Sequence, residues 1–144
     1  MSDLEERFSG ALHNTSRAWR QAVDRRLKYL GVSQASWMTI AVAAKARLPL
    51  SQSELADRLA VEGATMVAMV DRLVKAGLVV RQPSTTDRRV KRILLTDAGN
   101  LLYDKVKAEA AAFRKELLAD IDPKKLLVAT ELLESIQGII ETPP

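Results

Sequence analysis

The stretch RQPSTTDRRVKRILLT, residues Arg81–Thr96, holds five cations, Arg81, Arg88, Arg89, Lys91 and Arg92, against one acid, Asp87. Leu78–Gln82 and Val90–Leu95 are rich in β-branched residues and predict two strands. Pro83–Arg89 between them begins with Pro-Ser-Thr-Thr-Asp, residues suited to a turn, so the segment reads as one hairpin. Its charge calls for an anionic neighbour, unless the ribbon is merely a solvated basic loop.

Towards the N-terminus the pattern is helical. Gly77 stops a helix predicted over Ala64–Ala76, with Met66, Val70 and Leu73 at helical spacing. Ser51-Gln-Ser-Glu54 is a capping box that opens a helix over Gln52–Leu59, with Leu55, Ala56 and Leu59 as its buried edge. Ala60-Val-Glu-Gly63 breaks the pair. Ser33 caps a helix over Gln34–Arg47 that carries Trp37, Ile40, Ala41 and Ala44. The first helix is expected over Glu5–Leu30, its stripe running from Phe8 and Leu12 through Trp19 and Val23 to Leu27, with Gly31 beyond its end.

Beyond the hairpin, Thr96 caps a helix reaching to Ala119 along the stripe Leu102, Val106, Ala110, Phe113 and Leu117. Asp122-Pro123 pairs an N-cap with proline at the first helical position and opens a last helix to Ile140. Leu126, Leu127, Leu132, Leu133, Ile136, Ile139 and Ile140 give it an apolar face.

The length of 144 residues suits one domain, 1–144. With no cysteine, disulfides and thiolate chemistry are excluded, and a single histidine, His13, leaves little for a metal site. No cofactor or metal is expected. The opening MSDLEERFSG is acidic, and the longest apolar run, Ile40–Ala44, is far too short for a bilayer, so the expectation is a cytoplasmic protein without a leader or membrane partner. Dinucleotide fingerprints, phosphate loops and nucleophile elbows do not occur. His13 and Ser16 share a helix at a spacing that rarely aligns a hydroxyl with its base, so no catalytic residue is expected and the chain does not read as an enzyme.

The net charge of +4 is unevenly spread. Residues 1–50 carry eight cations against four acids, and residues 81–92 carry five against one, whereas residues 93–144 are net acidic. Two short helices joined by a tight break and followed by a basic ribbon give the order of a winged helix-turn-helix, and the fold class expected is mainly α with a small β-hairpin wing. The B-DNA major groove admits one α-helix. The helix from Ala64 would enter it, offering Ala64, Thr65, Ala68 and Arg72 on the face opposite Met66, Val70 and Leu73. The hairpin would meet phosphates or the minor groove. A winged helix that docks protein is the rival reading.

The residues from Leu27 to Leu95 also resemble the MarR family of transcriptional regulators, its SlyA-like branch in particular. The likeness rests on LSQSELADRLAVEGATMVAMVDRLVKAGLVVR followed by TDRRVKRILLT. It implies a homodimer on palindromic double-stranded DNA, with a dimerisation region at 1–32 and 97–144 around a winged helix at 33–96. The DNA contacts expected are Ser51, Ser53, Ala64, Thr65, Ala68, Arg72, Arg81, Asp87, Arg88, Arg89 and Lys91. Arg88 or Arg89 would reach the minor groove, and Asp87 would brace the wing through Arg72. Ala68 departs from the arginine that SlyA-like proteins commonly carry there, which puts the base preference in doubt and leaves apolar contact to thymine methyls.

The same resemblance implies release from DNA by a small aromatic acid, with Arg17, Trp19, Arg20 and Trp37 at the matching positions. Arginine pairs with carboxylates and tryptophan stacks on rings. Core packing for the tryptophans and solvation for the arginines are the competing reading. Ala41, where relatives place a histidine, weakens the transfer.

Overall fold

The computed structural model describes residues 2–144. The chain forms helix α1 (Ser2–Arg26), a 3-10 turn (Lys28–Leu30), α2 (Gln34–Lys45), strand β1 (Leu50–Ser51), α3 (Gln52–Leu59), α4 (Gly63–Lys75), β2 (Val79–Pro83), β3 (Lys91–Leu95), α5 (Asp97–Leu118) and α6 (Pro123–Glu141). It divides into two compact units, the first reaching to Ala111 and the second comprising Ala112–Pro144. No helix among the described residues is long and apolar enough to cross a membrane.

Local chemistry accounts for most of the boundaries. In α3, the Ser51 hydroxyl accepts from the Glu54 N–H at 3.1 Å while the Glu54 carboxylate accepts from the Ser51 N–H at 3.2 Å, completing the expected capping box. Ser33 caps α2 through the Ser36 N–H, and Thr96 caps α5 through the Gly99 N–H. The first helix is shorter than its apolar stripe suggested: it ends at Arg26, and the chain tightens into a 3-10 turn before Gly31 takes the left-handed conformation at φ 70°. The break after α3 also differs in detail. Gly63 is the first residue of α4, and it is Ala60, at φ 54°, that makes the left-handed turn.

The hairpin is part of a three-stranded antiparallel sheet of order β1-β3-β2. β2 and β3 pair from Val79↔Leu95 to Pro83↔Lys91. The unanticipated strand β1 pairs Leu50 with Ile93 and Ser51 with Arg92, which ties the start of α3 to the hairpin. Two residues carry too little periodicity to be read as a strand from sequence.

The first unit's core gathers Ile40 of α2, Leu55 of α3, Met66, Val70 and Leu73 of α4, Val79 of β2 and Ile93 of β3, each almost fully buried. Each such side chain contributes roughly 1.5–3 kcal/mol by leaving water. One face of α4 is thereby fixed inward. α5 begins close against this core, because Gly99 lies so near the Leu78 carbonyl that a Cβ would collide with it. In the same unit Val23 and Leu27 of α1 and Val106 of α5 are buried, and Arg26 pairs with Glu109 at 3.2 Å. Phe8 and Leu12, on the same apolar stripe of α1, are exposed on the single chain.

The second unit holds the end of α5 and all of α6. Asp122 accepts from the Lys124 N–H and Pro123 starts the helix, as the pair predicts. No residue of α6 is buried, and Leu127, Val128, Leu132, Leu133, Ile139 and Ile140 are all exposed.

Candidate nucleic-acid interface

The interface expected from sequence lies wholly within the first unit. With Met66, Met69, Val70 and Leu73 turned into the core, the 3.6-residue period places Ala64, Thr65, Ala68 and Arg72 outward, and all four are exposed. The small side chains of Ala64, Thr65 and Ala68 keep the surface of the first two turns of α4 close to its backbone. Glu62, at the N-cap, makes no side-chain bond to the first turn. The first-turn N–H groups are therefore not capped by the Glu62 side chain, and they present the positive end of the helix dipole.

The tip of the hairpin is built on hydrogen bonds. The Ser84 N–H donates to the Val90 carbonyl at 2.8 Å, and the Val90 N–H donates to the Asp87 carbonyl at 3.0 Å. Ser84 is buried, and its hydroxyl pairs with that of Thr86 at 3.0 Å. Asp87 accepts from the backbone and guanidinium of Arg89. These bonds hold its carboxyl below the usual carboxylate range, the Arg89 side chain acting most strongly. The brace thus runs within the tip, and the expectation of an Asp87–Arg72 pair is corrected: Arg72 lies against the sulfur of Met69 at 3.9 Å. A single residue, Arg88, separates Asp87 from Arg89, so the turn itself makes the closer partner.

The hairpin cations fall into two groups. Arg81 bonds Gln52, Asp71 and the Val67 carbonyl, and Arg92 donates to the Pro49 carbonyl at 2.8 Å while lying 3.9 Å from Glu54. Both thus join elements of the unit. Arg88 and Lys91 are exposed and form no ion pair among the described residues. Ser53 is exposed on the first turn of α3, whereas Ser51 is buried with its hydroxyl engaged by the cap.

The four positions expected to bind an acid do not behave alike. Trp37 is buried and its indole N–H donates to Asp24 at 2.8 Å, joining α2 to α1. Trp19 is half-buried. Arg17 and Arg20 are exposed and donate to the neutral side chains of Asn14 and Ser16. None of the four lines the cavity of about 170 Å³ whose wall includes Met38, Thr39, Leu59, Thr65, Met66 and Met69, or the larger one of about 240 Å³ whose wall includes Ala43, Arg47, Pro49, Ile93, Leu95 and Asn100. No three His, Cys, Asp or Glu side chains among the described residues converge as a metal site.

Sequence reasoning missed Gln52, Asp71 and Ser84. Asp71 and Arg81 lie ten residues apart on different elements, and no periodicity links such a pair.

The comparisons agree with this architecture. The model of the MarR family matches residues 44–91, which run from the end of α2 to the start of β3. Among solved structures the chain is 39% identical to the transcriptional regulator PA3341, with a TM-score of 0.85 over 93% of this chain and 98% of that one. It is 25% identical to CouR from Rhodococcus jostii RHA1, solved bound to p-coumaroyl-CoA, with a TM-score of 0.80 over 98% and 96% of the two chains. The transcriptional regulator SlyA, at 16% identity, shares the fold with a TM-score of 0.78 over 92% of this chain and 93% of that one. With the winged helix, the basic hairpin and these likenesses together, the chain belongs to the MarR family of transcriptional regulators.

Proposed function

We propose that the chain binds double-stranded DNA as a homodimer on a palindromic operator, with α4 of each copy in the major groove and each hairpin on the backbone or in the adjacent minor groove. The family is one of regulators, not enzymes. One observation carries the reading: α4 exposes Ala64, Thr65, Ala68 and Arg72 in the same unit as a ribbon whose exposed Arg88 and Lys91 form no ion pair among the described residues. Small side chains let a helix sit deep in a groove, and free cations meet phosphates. Ser53 adds a hydroxyl for the backbone at the start of α3, while Ser51 acts through the cap. A cytoplasmic location goes with this reading.

Pairing is supported by apolar surface. Leu4, Phe8 and Leu12 of α1 and six aliphatic side chains of α6 are exposed on the single chain, and large apolar patches mark association surfaces. Residues 1–32 and 97–144 would supply the dimer contacts around a winged helix at 33–96. Two half-sites would then lie roughly 10 base pairs apart.

An effector completes this reading. CouR was solved bound to p-coumaroyl-CoA. Here the exposed guanidinium groups of Arg17 and Arg20 are bonded only to neutral partners, so their charge is available to an aromatic carboxylate, with the half-buried Trp19 nearby in sequence. Trp37 would report on the site rather than line it, since its N–H is held by Asp24.

Selection of bound duplexes from a random DNA pool tests the proposal, together with sedimentation of the free protein. A palindromic motif and a dimer are expected. A monomer that retains no duplex at low salt would overturn it. Titration of salicylate against tryptophan fluorescence and DNA retention tests the effector, and no change in either would remove it.

A further inference from the structure

Arg81 sits on β2 at the root of the hairpin with its side chain 27% exposed. Its Nε donates to Gln52 Oε1 at 2.6 Å, at the first residue of α3. Its Nη2 donates to Asp71 Oδ1 at 2.6 Å and to the Val67 carbonyl at 3.3 Å, both on α4. A single guanidinium thus joins three elements. Among the polar contacts of the described residues, those to Asp71 and Val67 are the ones linking β2 side chains to α4.

We propose that Arg81 is a positioning residue, not a phosphate contact: it clamps the hairpin to α4 so that both surfaces meet DNA at one fixed spacing. The inference rests on the reading of α4 and the hairpin as the DNA-binding surfaces. The sequence placed Arg81 among the DNA contacts because it belongs to a basic run. In the fold its charge is matched by Asp71, and its Nε and Nη2 are engaged by Gln52, Asp71 and the Val67 carbonyl. Asp71, 60% exposed, lies on α4 between the outward Ala68 and Arg72 and would repel phosphate if it were unpaired. The pair therefore has two effects. It counters the charge of an exposed carboxylate that would otherwise meet the polyanion, and it sets the angle between reader helix and ribbon. Lysine cannot replace arginine here, because one ammonium lacks the planar fork that reaches Gln52 and Asp71 together.

The test measures affinity of the full-length protein for one mixed-sequence duplex across a range of salt, with thermal unfolding followed in parallel. Arg81→Gln and Asp71→Asn are each expected to weaken binding by about tenfold. The double variant should lose no more than the worse single one, since both break the same clamp. The slope of log affinity against log salt should stay at the wild-type value, because no phosphate contact is removed. Arg81→Lys should fail to restore affinity.

A phosphate role for Arg81 predicts otherwise: Arg81→Gln and Arg81→Ala would lower the slope by about one, and Asp71→Asn would leave affinity equal or higher. Either result overturns the inference, as does unchanged affinity in both single variants. Should Arg81→Gln unfold, Asp71→Asn still decides, since its side chain is exposed. Wild-type protein that binds no duplex would bring down the underlying reading and this inference with it. Wild-type binding with any of the contrary variant results would bring down this inference alone.

Discussion

Asp87 clasps Arg89 across the tip of the hairpin: Oδ1 accepts the Arg89 N–H at 3.0 Å and Nε at 3.2 Å, and Oδ2 accepts Nη2 at 3.3 Å. The neighbouring Arg88 has no such partner among the described residues. Adjacent arginines in one basic run are therefore unequal. Arg88→Ala is expected to reduce DNA affinity several-fold and to lower the salt slope by about one. Arg89→Ala should do less to the slope, because its charge is already countered, though the Arg89 side chain remains 91% exposed. Fluorescence anisotropy over a salt series compares the two, and equal slopes would contradict the distinction.

The capping box makes a pH prediction. Glu54 is held below the ordinary carboxylate value, first by the Ser51 N–H and then by the Ser51 hydroxyl, with Arg92 and Arg58 adding attraction. A folded-state pKa below the unfolded one means that the stabilisation is complete above the ordinary value and is lost as pH falls through the lowered one. Ser51→Ala should cost about 1 kcal/mol at neutral pH. The gap between wild type and variant should narrow in acid. A gap that widened as pH fell would refute the assignment, and denaturant titrations at two pH values would show it.

Gly99 makes a steric prediction. A Cβ there would collide with the Leu78 carbonyl, part of the backbone that leads into β2. The Leu78 carbonyl also accepts from the Thr96 N–H, so it cannot easily move. Gly99→Ala, although alanine favours helix, is expected to destabilise by about 2 kcal/mol through overpacking. Thermal unfolding measures this, and a neutral or stabilising result would show that the close approach is slack.

Ala60 offers the opposite case. It takes φ 54° at the end of α3, a conformation that strains a residue bearing a Cβ. Ala60→Gly removes that strain but adds freedom to the unfolded chain. A net gain of about 0.5 kcal/mol is expected, small enough to require denaturant curves rather than a single melting point.

Ala68 should limit base preference. It is exposed on α4, and its methyl can touch a thymine methyl but cannot bond guanine. Ala68→Arg is expected to add about 1–3 kcal/mol of discrimination in favour of guanine at one position of each half-site. Site selection repeated with the variant would reveal the new position, and an unchanged motif would mean that Ala68 does not face the bases.

The helices, their caps and the hairpin were legible in the sequence because each depends on contacts within a few residues: the Ser51–Glu54 box, Asp122 before Pro123, and the spacing of Met66, Val70 and Leu73. The exposed face of α4 followed from the same period. Longer-range facts did not. Strand β1 exists because Leu50 finds Ile93, the Trp37 indole is held by Asp24, and Arg81 turns to Gln52 and Asp71. A list of residues fixes how much positive charge the ribbon carries. Which cations remain free to meet an anion depends on where the acids of other elements come to lie, and only packing in three dimensions decides that.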